Sequence, residues 1–330
     1  MKKLIETILK DAMLEEATDV HLTSEGEMAH VRIRCLGKMQ LLEVIDIEVY
    51  RRAINYLKFI ADLDINEHRV PQSGRTAILI DEEVVNLRVS TLPVSLMDEV
   101  VVIRILNLME DKASNELFST TSEYDFFQDY INRQQGLILF TGPTGSGKST
   151  LMHRLIREIA ARGERQIISI EDPIEYEQEG IVQVEINEKA QIDYEPLLKG
   201  VLRCDPDVIM FGEIRDANIA SNLLRASLSG HLVFSTFHSK SAVAALSRLK
   251  DFGLYDEEMI QSISLIINQR LIHTQKGSYI IYETLGNTEI QEFLKTGSVV
   301  YGTLHDRLIL MLDEGGLNAD EFRFYEDKFK

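Results

Sequence analysis

The stretch Gly136-Leu137-Ile138-Leu139-Phe140-Thr141-Gly142-Pro143-Thr144-Gly145-Ser146-Gly147-Lys148-Ser149 decides the fold. Its first part is a short apolar run of the kind that forms a strand covered on both faces, and helical spacing follows from about Lys148 to Ala161. Between them, Gly142 to Ser149 matches the phosphate-binding pattern G-x-x-x-x-G-K-[ST] in the strand-then-helix context that the pattern requires. The glycines permit backbone conformations that aim successive N–H groups at phosphate oxygens, and the helix adds its N-terminal partial positive charge. Lys148 is then expected to reach the β and γ phosphates, and the Ser149 hydroxyl to ligate Mg²⁺. A glycine-rich turn without a ligand is the alternative, and the strand before the loop and the helix after it argue against that.

Outward from the loop, the apolar runs Gln166 to Ile170, Val208 to Phe211 and Leu232 to Phe234 alternate with helical segments. This is the grammar of a parallel sheet with helices on both faces. Residues 240–330 read as mainly helical, with a brief strand at Tyr279 to Tyr282. In such sheets ligands sit beyond the carboxyl ends of the strands. Two acidic groups fall there. Glu171-Asp172-Pro173-Ile174-Glu175 follows one strand, and Gly212-Glu213 ends another, with Arg215 and Asp216 beyond it. A carboxylate of the first group could orient or deprotonate an attacking water or hold a water ligand of the metal, or the group could be a solvated acidic loop. Glu175 is the preferred general base, because Pro173 forces a turn that would swing it inward. The second group has the form of a Walker B segment with Gly212 at the usual Asp position, which leaves Glu213 for Mg²⁺ or for the water.

His231 and His238 flank Leu232 to Phe237. Seven residues along a strand place them on opposite faces, which argues against a zinc pair. His238, beyond Ser235-Thr236, is the better placed to sense a γ-phosphate, and a structural histidine is the alternative for either.

Residues 1–108 have a different pattern. Two apolar rows, Leu4-Ile8-Ala12 and Ile5-Leu9-Met13, indicate an opening helix. Val31, Ile33 and Cys35 alternate with arginines before a Gly37 turn and the run Met39 to Val44, a hairpin. Tyr50 to Leu63 is helical in spacing, and Ala77 to Ile80, Val85 to Thr91 and Val100 to Leu106 read as strands. A small α+β domain is expected, joined by a polar linker over 109–135 to a second domain over 136–330. Arg69, Arg75, Arg88 and Arg104 stand out in it. They could fork onto phosphate oxygens from across a domain or subunit boundary, or pair with surface acids.

With 35 Lys and Arg against 53 Asp and Glu, the formal charge of −18 makes direct nucleic acid binding a poor expectation. The 45% of hydrophobic residues excludes disorder. Cys35 and Cys204 are too few for a disulfide framework or a four-thiolate zinc site, so no zinc and a reducing cytoplasm are expected. The N-terminus lacks the features of a secretory signal, and no apolar run approaches about 18 residues.

Together these segments resemble the GspE/PilB group of secretion ATPases, which serves type II secretion and type IV pilus assembly. GPTGSGKST at 142–150, an Asp box ISIEDPIEY at 168–176, RCDPDVIMFGEIRD at 203–216 and a His box GHLVFSTFHS at 230–239 occur in the family's order. ATDVHL at 17–22, VPQSGR at 70–75 and LRVSTLP at 87–93 extend the resemblance, which covers about residues 10 to 285.

The resemblance implies an α/β fold: a RecA-like P-loop NTPase domain with a parallel sheet, preceded by a small α+β, PAS-like domain. It implies ATP and Mg²⁺ as cofactors, with nucleotide contacts from Gly142, Pro143, Thr144, Gly145, Ser146, Gly147, Lys148, Ser149 and Thr150. Lys148, Glu175 and Glu213 would be catalytic, Ser149 and Glu213 would hold the metal, and His238 with His231 would act as sensor. Arg75, Arg88 and Arg104 would close on the nucleotide. It further implies a cytoplasmic homohexamer, peripheral at the inner face of the cell membrane, that drives filament assembly through a polytopic membrane platform protein.

Larger members carry an extra N-terminal domain and a four-cysteine zinc module. This sequence starts at the second N-terminal domain and has no such cysteines, a compact form similar to the competence ATPases of Gram-positive bacteria, the ComGA type, which support a transformation pilus for DNA uptake. Retraction ATPases of the PilT group have comparable length. The absence of their AIRNLI-like signature and the VPQSGR turn favour the assembly branch.

Overall fold

In the first part of the chain apolar side chains recur at every second position, so each strand has one face for a core and one for other partners. The computed structural model describes residues 1–35, 37–94, 98–106, 121–174, 177–186, 193–274 and 277–329. The chain divides into two compact units, Met1–Ser114 and Asn115–Lys330.

The first unit runs α1 (Lys2–Leu14), β1 (Asp19–Glu25), β2 (Met28–Cys35), β3 (Lys38–Asp46), α2 (Ile47–Ile60), β4 (Gln72–Ile80), β5 (Glu83–Pro93) and β6 (Glu99–Ile105). The strands form one antiparallel sheet in the order β3-β2-β1-β6-β5-β4. Ile5, Ile8 and Leu9 of α1 and Ala53, Ile54 and Leu57 of α2 bury the helical stripes against Val20, Val31, Val89 and Ile103. Asp46 caps α2, its side chain accepting from the Glu48 N–H. Gly74 lies inside β4, where a Cβ would come within 2.1 Å of the Ala61 carbonyl oxygen at the end of α2. Only glycine fits there. β1 was not legible as a strand, because Thr23, Ser24 and Glu25 dilute its apolar alternation.

The second unit comprises α3 (Thr121–Ile131), β7 (Gly136–Thr141), α4 (Lys148–Ala160), β8 (Ile167–Glu171), β9 (Val182–Glu185), α5 (Tyr194–Val201), β10 (Val208–Glu213), α6 (Ala217–Leu228), β11 (Leu232–Phe237), α7 (Ala242–Asp251) and α8 (Asp256–Ser262). β12 (Ile263–Thr274), β13 (Gly277–Gly286), α9 (Asn287–Thr296), α10 (Leu304–Asp313) and α11 (Ala319–Phe329) complete it. Its sheet order is β13-β12-β7-β11-β10-β8-β9, parallel throughout except for the edge strand β13. All six residues of β7 are buried, as a central strand covered on both faces requires. Ile138 and Phe140 pack with α3 and α4, while Leu137 and Leu139 face the layer of α5 to α9.

Two sequence expectations need correction. Part of the expected linker is helix α3: Phe127 and Ile131, one turn apart, are buried against Leu155 and Ile159, with Phe126 and Tyr130 packed beside them, which holds this stretch on the second unit. Residues 107–120 lie outside the described residues. The expected helical end of the chain contains the hairpin β12–β13. Ile263 to Gln269 is buried on both faces, and the mostly apolar run Ile263 to Ile267 has no period that separates strand from helix. Glu283 of β13 then anchors the helices on either side of the hairpin. Its carboxylate accepts from the Ala242 N–H at the start of α7 (2.7 Å), the Leu304 N–H at the start of α10 (3.1 Å) and Asn268 Nδ2 (3.1 Å).

Candidate functional site

The loop between β7 and α4 is shaped by glycine at positions no other residue could occupy. Gly142 has φ +136°, and a Cβ there would lie 2.5 Å from the Gln269 carbonyl oxygen and 2.7 Å from Ser146 Oγ. Gly147 caps α4 in the left-handed region at φ +85°. Lys148, buried at the first turn of α4, donates from Nζ to the carbonyls of Gly142 (3.1 Å) and Pro143 (2.9 Å). Burial lowers its pKa. The Glu213 carboxylate opposes that shift, and the Arg270 guanidinium adds to it. The Ser146 hydroxyl, 2% exposed, has no hydrogen-bond partner among the described residues. A buried ammonium and a buried unpaired hydroxyl inside one glycine ring fit an anion such as phosphate.

Beside the loop lies a cavity of about 220 Å³ at the C-terminal edge of the sheet, lined among others by Ser149, His153, Glu171, Asp172, Glu213 and Thr236. Several elements meet there: Ser149 and His153 share a face of α4, Glu171 ends β8, Glu213 ends β10 and Thr236 stands near the end of β11. Parallel pairing of β8 with β10 and β10 with β11 brings the two acidic segments together. Arg215 fastens them, donating from Nη2 to Asp172 Oδ2 (3.1 Å) and from Nε to Glu213 Oε1, with its guanidinium over the Tyr194 ring. The donor set around the cavity, a hydroxyl and carboxylates, suits a hard cation such as Mg²⁺.

His238 Nε2 lies 3.5 Å from Glu213 Oε2, so the structure brings that histidine to the acidic pair. His231 is elsewhere. It precedes β11 at the opposite end of the strand, with Nδ1 2.9 Å from the Ala226 carbonyl oxygen, and it does not meet the expectation of a sensor beside the phosphate loop. Glu175 lies outside the described residues.

The arginines of the first unit, distant in sequence, fall into one cross-strand row. Arg75 is opposite Arg88, Arg88 opposite Arg104, and Arg104 opposite Asp19, which is opposite Arg34 in turn. Paired residues share a face, and the flanking Leu87, Val89 and Ile103 are in the core, so the row is on the face away from the helices. Arg104 Nε donates to the nearly buried Asp19 (2.9 Å), and Arg88 Nε to Ser73 Oγ (3.1 Å). Arg69 is exposed in the segment before β4 and is not part of the row.

Sequence reading missed the floor of the site. His153 Nδ1 accepts from Gln178 Nε2 (2.6 Å), and its Nε2 faces Glu171 Oε2 at 3.8 Å. Glu171 Oε1 accepts from Ser169 Oγ (2.6 Å) and Gln183 Nε2 (2.9 Å), so this buried carboxylate is oriented from three sides. Burial, with Arg157 nearby, lowers the His153 pKa to about 4. Gln269 Nε2 donates to the Ser146 carbonyl (3.2 Å) from β12. The spacing of Ser149 and His153, one helical turn, was the available signal for the first; the second had none.

Fold and loop together define a P-loop NTPase fold of the RecA-like class. The family model for type II/IV secretion system proteins matches residues 1–301, and the chain belongs to that family. It is 38% identical over 273 residues to the type II secretion system ATPase E of Vibrio cholerae, covering 82% of this chain and 54% of that protein. It is 34% identical over 272 residues to the competence protein ComGA of Bacillus subtilis, covering 82% of this chain and 76% of that one. The crystal structure of the pilus retraction motor PilT with bound ADP superposes with a TM-score of 0.71 at 25% identity, over 96% of this chain and 95% of that one. The chain spans about half the length of the Vibrio relative.

Proposed function

We propose that the chain is a Mg²⁺-dependent ATPase whose turnover drives assembly of a competence pseudopilus or type IV pilus for DNA uptake. The convergence of Ser149, Glu171, Asp172 and Glu213 on one cavity beside the phosphate loop is the observation that carries this reading. Lys148 exchanges its loop carbonyls for phosphate oxygens, and backbone N–H groups of Thr144 to Thr150 surround the anion. Ser149 and Glu213 would hold Mg²⁺. When bound, the ion offsets the charge that develops on the transferred phosphoryl group. Glu175 takes the proton of the attacking water, since Glu213 is already engaged by Arg215 and His238. His238, on that same carboxylate, senses the loss of the γ-phosphate, and the row Arg75, Arg88 and Arg104 supplies further positive charge to the nucleotide.

The working form in this reading is a homohexamer at the inner face of the cell membrane that acts on a polytopic platform protein. The likeness to ComGA supports the competence role, and the charge of −18 argues against direct contact with DNA. Among the described residues, no helix is long and apolar enough to cross a membrane. A second reading, filament retraction, is favoured by the superposition on PilT. The two differ in the deletion phenotype: filaments are lost if the chain assembles them and accumulate if it retracts them.

The test is steady-state phosphate release with Mg-ATP for wild type, Lys148→Ala and Glu213→Gln, alongside sedimentation. Turnover by wild-type rings that both variants lose while still assembling is the expected result. Hydrolysis that survives Lys148→Ala sinks the reading. Tight ATP binding with no turnover beyond that of Glu213→Gln would instead make the chain a nucleotide-gated interaction protein.

A further inference from the structure

β12 runs six residues past the end of its neighbour. Asn268 pairs with Thr141, the last residue of β7, so Gln269 stands beside the start of the phosphate loop. Alternation along the strand puts Leu265, Ile267 and Gln269 on the face that packs with α4. Gln269 is fully buried there. Its Nε2 donates to the Ser146 carbonyl, and its Oε1 has no hydrogen-bond partner among the described residues. The backbone is equally close, because the Gln269 carbonyl oxygen is what a Cβ on Gly142 would strike. A buried amide with half its capacity unused is costly in an apolar layer, and leucine or methionine would fill the same space. Its retention there calls for a task.

That task comes from peptide geometry. In a planar trans peptide the C=O and the next N–H point to opposite sides. Holding the Ser146 carbonyl toward β12 therefore turns the Gly147 N–H away from β12, in a loop that also carries the unpaired Ser146 hydroxyl and the Lys148 ammonium. Gly147, at φ +85°, is able to adopt other conformations, so without the amide this peptide is free to flip and present a carbonyl to an incoming anion.

We propose that Gln269 is a positioning residue of the phosphate loop, fixing the Ser146–Gly147 peptide so that the Gly147 N–H faces the phosphate of a nucleoside di- or triphosphate. This rests on the nucleotide reading above. The experiment measures the Kd of the full chain for Mg-ADP and the thermal midpoint without ligand, for wild type, Lys148→Ala, Gln269→Met and Gln269→Glu. Met keeps the volume without the donor, and Glu sets an acceptor against the Ser146 carbonyl. The expected result is binding weaker by about tenfold or more in both Gln269 variants, greater for Glu, with the ligand-free midpoint of the Met variant at the wild-type value. Wild-type affinity in Gln269→Met, with Lys148→Ala still defective, overturns the inference and leaves the nucleotide reading intact. A midpoint that falls while Kd stays unchanged also overturns it, since Gln269 would then only fill space. Failure of wild type itself to bind Mg-ADP removes the nucleotide reading and this inference with it.

Discussion

His153 lies one helical turn beyond Ser149 on α4, and its Nδ1 accepts a hydrogen bond from Gln178 Nε2 at 2.6 Å. The donor on that side fixes the imidazole as the neutral tautomer with its proton on Nε2, toward Glu171. The histidine is therefore built into the fold uncharged, which gives the first prediction. Its pKa falls from the ordinary 6.5 to about 4 on folding, so between those values the unfolded chain binds the extra proton. Stability from this residue is intact above pH 6.5 and is lost as the pH falls toward 4. Between pH 7 and pH 5 the loss is about 2 kcal/mol. Urea unfolding of wild type and His153→Asn at both pH values checks this. The variant should lose correspondingly less stability over that interval, and parallel losses would refute the assignment.

The arginine row in the first unit sets stability against use. Like charges directly opposite each other on adjacent strands destabilise a sheet by about 0.2–1 kcal/mol per pair, and Arg88 has an arginine on either side. Arg88→Gln should leave the unfolding free energy unchanged or raise it by about 0.5 kcal/mol, while lowering ATP turnover at least tenfold. Calorimetry with phosphate release tests both halves. A variant that is less stable and equally active would make the row structural.

Lys58 and Glu99, both buried in the first unit, form a 2.5 Å ion pair that His68 and the Glu67 carbonyl complete. Removing either partner alone leaves a buried charge uncompensated, at a cost of about 3–5 kcal/mol. The double substitution Lys58→Met with Glu99→Leu should recover most of that loss. A double-mutant cycle by denaturant unfolding reads the coupling, and simple additivity would contradict it.

Gly142→Ala tests the loop directly. The new methyl meets the Gln269 carbonyl oxygen and Ser146 Oγ well inside contact distance, and φ +136° is strained for alanine. Loss of measurable nucleotide binding is expected, with the two cores intact by circular dichroism. Gly145→Ala, where a Cβ meets nothing within 4 Å, should bind more tightly than Gly142→Ala.

The sequence made the centre of the fold readable and left the periphery hidden. β7, the loop and α4 were legible because motif, apolar run and helical period agree over residues 136–161. Glu213 and His238 were legible as strand-end residues, and they meet at 3.5 Å. β12 was not, since a strand buried on both faces lacks the alternation that marks it, and Gln269 was hidden with it. Phe127 and Ile131 were passed over because a short stripe, shared with Phe126 and Tyr130 among acidic and polar neighbours, says little until a partner helix is known. The arginines stood out individually, but cross-strand register, which aligns Arg75, Arg88 and Arg104, is not written in local spacing.

The Glu283 carboxylate has a consequence for any attempt to shorten the protein. α10 and α11 look dispensable, lying after the last strand, yet one oxygen of that carboxylate accepts the first N–H of α10, and the Tyr325 hydroxyl of α11 both accepts from the His273 N–H and donates to its carbonyl. Trimming the chain at Gly286 would uncover Ile272 and Ile281 and leave a carboxylate in the sheet short of a donor. Such a fragment would carry its damage to β12, the strand that underlies the phosphate loop.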